Sequence, residues 1–329
     1  MLIEDTKYQL MQNKEYTFNH SVINSLNYLD NYKNIIPRYI ANGAASSDTL
    51  EYYFFHIDSF LNWCMSIKRN PLTFTDYEIR GFQTMLYDKY AINSVSLKIA
   101  AIKVFYKVAK LLGLIAEDPT ELIHCTSMKK DDTQFTFYTT SQIGEMIKKL
   151  SFNDDFTRLR NTVIIYLMAV EGLRAIEVHR LNVNDIDFEN KTISVKGKGH
   201  RGRINLIYPC NETLHRIQEY LNVIPERNNK EILTPLILSN SHNNSLNRIG
   251  RVGLRYIVNK ILNDSGYKKK GAACHSLRHS CGTNLYAETK DLRLVQETLR
   301  HSDPTISARY AHVHERTVNR PTKNLVPKI

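Results

Sequence analysis

The chain has 329 residues, 42% of them hydrophobic, enough to bury a core and to suggest two domains. Forty-four Lys and Arg face 33 Asp and Glu, a formal net charge of +11, which points to a polyanionic partner such as nucleic acid or an anionic membrane surface. No run of eighteen apolar residues occurs, so a membrane-spanning helix is excluded.

The opening MLIEDTKYQLMQNKEY lacks the basic start and apolar stretch of a signal peptide. Five scattered cysteines (Cys64, Cys125, Cys210, Cys274, Cys281) fit reduced thiols better than a disulfide framework, and a cytoplasmic protein is expected. Val22 to Ile40 reads as a helix or a broken pair, interrupted by Pro37. In SSDTLEYYFFHIDSFLNWC, Ser47 or Asp48 is the expected cap, and Leu50, Tyr53, Phe54, Ile57, Phe60 and Leu61 share one helical face. Thr75 and Glu78 form a capping box for the next helix. SVSLKIAAIKVFYKVAKLLG makes a third apolar face and stops at Gly113. Lys103, Lys107 and Lys110 line that helix at i, i+4 and i+7, a stripe that suits either DNA phosphates or plain solvent.

TSMKKDDTQFTFYTT has no helical period and reads as a linker. Thr140 or Ser141 is expected to cap the helix that follows, and TRLRNTVIIYLMAVEG reads as a buried helix. The period then changes: Ile193 and Val195 alternate, as do Ile204, Leu206 and Tyr208 across a Gly-rich turn, which predicts a small antiparallel sheet. Helical patterns resume over Thr213 to Leu221 and Arg251 to Asn263. No Gly-rich nucleotide loop occurs.

The chemistry concentrates in the second half. HSLRHSCGTNLY packs His275, Arg278 and His279 into five residues. Zinc is a poor fit, because Cys274, His275, His279 and Cys281 lack the paired spacing of a zinc site and no second ligand pair stands out. EGLRAIEVHRL offers Arg174 and Glu177. VKGKGHRGR puts Lys198, with Arg201 and Arg203, in a hairpin turn, and LRHSDPTISARYAHV offers His301 and, nine residues on, Tyr310. Arginines clamp phosphodiester oxygens through paired N–H donors. Tyrosine is a nucleophile that needs help ionising, histidine can take its proton, and lysine can donate one to a leaving oxygen. Each residue alone has a bland reading as a cap, turn or surface group. The bland readings fail together, because they must account for every group in one order.

In order and spacing these boxes resemble the tyrosine recombinase (phage integrase) family, across essentially the whole C-terminal half. The N-terminal half is similar, more loosely, to the core-DNA-binding domain of Xer-type members. The resemblance implies a mainly α fold with a small antiparallel β-sheet, made of a helical core-DNA-binding domain and a mixed α/β catalytic domain. The expected organisation is an extension over 1–20, the core-binding domain over 21–125, a linker over 126–137, the catalytic domain over 138–310 and a tail over 311–329. Tyr310 is expected to attack the scissile phosphate and form a 3′-phosphotyrosyl bond. Arg174, Arg278 and His301 are expected on the phosphate, Lys198 as general acid and His275 as base, with Glu177 and His279 in support. Lys103, Lys107, Lys110, Arg201 and Arg203 are the expected DNA contacts. No metal or cofactor is implied. The partners implied are double-stranded DNA carrying a specific site and a homotetramer on two duplexes, with room for an accessory DNA-bending or directionality protein. Two departures mark a divergent member: Leu299-Arg300-His301 replaces the usual Leu-Gly-His, and AETKDL lacks a common turn glycine.

Two other readings compete. A type IB topoisomerase uses the same chemistry to relax DNA, and a non-catalytic DNA-binding protein could use the same scaffold. The boxes and the compact helical first half favour recombination, and every reactive position is filled. About twenty residues precede the first expected helix, too few for the arm-binding domain of large integrases. Resolution of circular dimers, or integration and excision of a simple mobile element, are then the expected uses.

Overall fold

The structure is a computed structural model that describes residues 25–40, 45–125, 135–150, 154–197, 204–224, 234–241, 246–301 and 303–314. The chain divides into two compact units, Met1–Lys129 and Lys130–Ile329. Among the described residues it is mainly helical, with one three-stranded antiparallel sheet. None of these helices is long and apolar enough to cross a membrane.

The first unit contains α1 (Ser25–Ile35), α2 (Ser47–Ser66), α3 (Asp76–Lys89) and α4 (Ile92–Leu111). Pro37 sits in a 3₁₀ turn, Ile36–Arg38, that closes α1, as its ring and missing N–H require. The cap of α2 is Ser46, one residue earlier than expected, and its Oγ accepts from the Thr49 N–H. The capping box of α3 forms as expected, with the Thr75 N–H donating to Glu78 at 2.9 Å. The core is aromatic. Phe60 meets Trp63, Phe74, Phe82, Phe105 and Tyr106. Two buried tyrosines satisfy their hydroxyls on backbone, Tyr28 on the Phe105 carbonyl and Tyr106 on that of Pro71. Along α4, Lys103 is half-buried while Lys107 and Lys110 are exposed, and Lys110 pairs with Glu121 at 3.4 Å.

The second unit begins its helices at α5 (Thr140–Lys148), whose cap is Thr139 rather than Thr140 or Ser141. Thr139 and Gln142 bond reciprocally. The apolar segment forms α6 (Asp155–Ile165) and then widens into a π turn over Tyr166–Val170. Such widened turns recur at functional sites. This one leads into Gly172, at φ +65°, and on to α7 (Ala175–Arg180). Strands β1 (Ile186–Asp187), β2 (Thr192–Lys196) and β3 (Ile204–Ile207) follow in sheet order β1-β2-β3. Ile193 and Val195 face the core and pair with Ile207 and Asn205. Ile204, Leu206 and Tyr208 do alternate, but outward, and all three are exposed. β3 is an edge strand, and Ile207 is its inward apolar residue. Then come α8 (Asn211–Asn222), α9 (Arg251–Asp264), α10 (Cys274–Thr289), α11 (Leu292–Leu299) and α12 (Thr305–His314). The expected N-terminal extension, most of the expected linker, and residues 315–329 of the tail lie outside the described residues.

Candidate active site

The site is assembled on α10. Its buried face includes Leu277, Arg278, Cys281 and Gly282. The chain leading into α5 docks on this helix: the Tyr138 N–H donates to Ser280 at 2.8 Å, and Asn284 donates to the Tyr138 carbonyl at 3.0 Å. That anchor seats Phe135 beside His279, ring centroids 4.5 Å apart, and edge-on to Tyr310 at 5.5 Å.

Three guanidiniums converge on one carboxylate. Glu177, 1% exposed, accepts from Arg174 Nη1 at 2.8 Å and from the Arg174 backbone N–H at 2.8 Å. Arg300 Nη2 reaches it at 3.0 Å, and Arg278 Nη1 lies 3.8 Å away. Burial pushes the Glu177 carboxyl up, but Arg300 and Arg174 outweigh it and hold it below the usual range. Arg278 is buried and donates to the carbonyls of Gly172 and Leu299. Burial, with Arg174 nearby, brings its guanidinium down to about 10, so it stays charged at neutral pH. Arg174 Nη2 approaches the Arg300 carbonyl at 3.5 Å.

Tyr310 enters from α12 and is 1% exposed, packed with Cys281, Val295 and Leu299. Its hydroxyl shares a hydrogen bond with His279 Nδ1 at 3.2 Å. Burial pushes the phenol up to about 12, against the pull of Arg278 and Arg309. His279 is brought down to about 3, first by burial and then by Arg309, so it is neutral at physiological pH. His301 lies parallel to the Tyr310 ring, centroids 6.2 Å apart, and its Nδ1 meets Ser307 Oγ at 2.9 Å. Burial, with Arg278, lowers His301 to about 4.

The structure therefore gathers Arg174, Glu177, Arg278, His279, His301 and Tyr310. The side chain on the tyrosine hydroxyl is His279, one helical turn beyond His275, the residue expected there. His275 is exposed at the start of α10. Lys198, Arg201 and Arg203 lie outside the described residues. Lys103, Lys107 and Lys110 belong to the other unit. Sequence reasoning missed Phe135, which it placed in the linker, and Gly282, whose missing side chain admits the Tyr310 ring. Arg300 was legible only as a departure from a glycine. Among the described residues, no three His, Cys, Asp or Glu side chains gather as a metal site.

A cluster of fixed cations beside a tyrosine and two neutral imidazoles can bind a phosphodiester and transfer it to the phenol oxygen. Comparison with known proteins gives the family. Residues 136–316 match the phage integrase family, and residues 30–111 match its N-terminal SAM-like domain. The chain belongs to the phage integrase family and is a Xer-like tyrosine recombinase. It is 32% identical to tyrosine recombinase XerC of Lactobacillus leichmannii over 68% of this chain and 74% of that one. It is 30% identical to XerC of Oceanobacillus iheyensis over 88% and 93%. In fold it is similar to XerH recombinase bound to difH substrate in a post-cleavage complex (TM-score 0.67, 19% identity, 84% of this chain and 79% of that one). It is also similar to a lambda integrase dimer bound to a core site (TM-score 0.64, 17% identity, 85% and 95%).

Proposed function

We propose that this protein cuts and rejoins DNA at a specific site through a 3′-phosphotyrosyl intermediate on Tyr310. The observation that carries the reading is the convergence of Arg174, Arg278 and Arg300 on buried Glu177, next to a tyrosine whose hydroxyl meets a neutral histidine. In the proposed reaction, Tyr310 Oη attacks phosphorus as the P–O5′ bond breaks. The phenol proton passes to a histidine, and the departing 5′-oxygen takes a proton from Lys198. His279 holds the hydroxyl at rest, and His275 acts as base once the tyrosine has moved to the DNA. Arg174, Arg278 and His301 hold the non-bridging oxygens. The new ester keeps the energy of the old one, so a 5′-hydroxyl from a second duplex can reverse the step and free Tyr310.

The proposed substrate is double-stranded DNA, with four copies of the chain on two duplexes. One solved neighbour in fold is a lambda integrase tetramer bound to a Holliday junction. Integration or excision of a mobile element, or resolution of circular dimers, is the proposed use. The test begins by capturing genomic fragments that become covalently attached, then builds nicked duplexes on the captured sequence. Wild-type protein should leave a protein–DNA adduct on a denaturing gel. Tyr310→Phe should bind the same duplex and leave none, and an adduct in that variant would move the nucleophile elsewhere.

A further inference from the structure

Arg300 follows α11 in the left-handed region, at φ 54° and ψ 49°. Glycine adopts that conformation freely, whereas a side chain there costs about 1–2 kcal/mol. The side chain is nonetheless held deep in the site, 10% exposed. Its Nη2 reaches Glu177 at 3.0 Å and the Gly172 carbonyl at 3.3 Å, and its Nη1 donates to the Thr298 carbonyl at 2.8 Å. Its Nε is buried with no hydrogen-bond partner among the described residues. A strained backbone and an unsatisfied buried donor both oppose stability, and such costs collect where function requires them.

Arg300 shares its partners with the other two arginines. Gly172 O also accepts from Arg278, and Glu177 is also the partner of Arg174. Arg300 thus touches the anchor of each of the other two arginines. One carboxylate among three guanidiniums leaves the cluster with a net charge of two positives, where Arg174 and Arg278 alone would leave one. A phosphodiester carries one negative charge, and its five-coordinate transition state carries a second.

We propose that Arg300 is a positioning residue for strand cleavage: by sharing Glu177 and Gly172 it leaves Arg174 and Arg278 with charge to spare for the transition state. The proposal rests on the phosphoryl-transfer reading above and goes beyond it, because it assigns a role to a residue outside the expected set.

The test is single-turnover adduct formation on a nicked duplex, with either the normal scissile phosphate or a methylphosphonate, which lacks one negative charge. Arg300→Gly also relieves the left-handed strain, and Arg300→Asn, tolerated in that region, replaces it if the glycine variant does not fold. Arg300→Gly should cleave the normal duplex about 10- to 100-fold more slowly, the range seen when an outer partner that orients a metal site's ligands is removed. Its DNA affinity at fixed salt should be unchanged, and its defect should shrink on the methylphosphonate. Arg300→Lys, which keeps the charge and loses the fork, should fall between Arg300→Gly and wild type. An unimpaired Arg300→Gly, an equal defect on both substrates, or an Arg300→Lys as slow as Arg300→Gly would overturn the proposal. Absence of any adduct with wild-type protein would instead strike the phosphotyrosyl reading itself.

Discussion

Gly282 sits in the middle of α10, where a glycine is unfavourable, and its reason is the ring of Tyr310 packed against it. A Cβ built there falls 2.7 Å from Tyr310 Cζ and 2.8 Å from Leu299 Cδ1, well inside the 3.4 Å at which ordinary contact begins. Tyr310 has no room to shift within the pocket, because Phe135 and His279 pack against it. Gly282→Ala should therefore push the ring out of its pocket. Overpacking of this kind costs about 1–3 kcal/mol. Replacing glycine by alanine inside a helix returns about 1 kcal/mol. The net loss is roughly 0–2 kcal/mol, a fall in melting temperature of up to about 8 °C for a unit of this size. Gly144→Ala in α5 is the control: nothing lies within 4 Å of its Cβ, so it should gain the helix term alone and melt higher. Calorimetry reads the melting, and nitration mapped by mass spectrometry reads the exposure of Tyr310. If Gly282→Ala melts with Gly144→Ala and Tyr310 stays as protected as in wild type, the packing account is wrong.

Lys198→Ala should slow cleavage by about 10²–10⁴-fold, and a substrate with sulfur at the 5′-bridging position should restore the rate, since that leaving group needs little protonation. Equal defects on both substrates would remove Lys198 from the acid role. Adduct formation should persist in EDTA and without ATP, and a strict need for added Mg²⁺ would refute the mechanism. His279, at about 3 in the folded chain, and His301, at about 4, both sit below the ordinary histidine value. The unfolded chain then binds more protons between those values and about 6.5, so the stability from keeping both imidazoles neutral is fully present above about 6.5 and is lost as pH falls toward 4 and 3. Denaturant titrations should show this slope, and His279→Gln should flatten it. An unchanged slope in that variant would place the acid sensitivity elsewhere.

The parts of the site legible in the sequence were those whose chemistry is local. Arg174 with Glu177 and His275 with Arg278 each hold their spacing within one turn, and His301 and Tyr310 lie nine residues apart on adjacent chain. What the sequence could not show depends on where separate elements meet. His275 and His279 lie four apart on α10, so both suit a tyrosine brought from another helix, and only the seating of α12 selects His279. Phe135 read as linker because it lacks a helical period. Its place comes from the Tyr138 backbone docking on Ser280 and Asn284, far away in sequence. The outward alternation of Ile204, Leu206 and Tyr208 identified a strand but not its face, because period two is the same on either side of an edge strand. The helix caps slipped by one residue where neighbouring Ser or Thr could each serve, at Ser46 and Thr139.

The same geometry sets the order of events in the proposed reaction. Arg174 and Arg278 are already fixed by Glu177 and Gly172, so the two guanidiniums proposed to hold the phosphate are in place before DNA arrives. Tyr310 is the reverse: buried, bonded to His279, and at about 12 ionised in only about one molecule in 10⁵ at neutral pH. The largest cause of that high value is burial, whereas the nearby Arg278 already favours the phenolate. Leaving the pocket removes the first influence and keeps the second, provided the ring moves along the arginine cluster rather than away from it. Ionisation and delivery are then one movement. The contacts that resist it are the His279 hydrogen bond and the packing against Phe135, Leu299 and Gly282, so in the proposed reaction DNA binding has to supply the energy that breaks them.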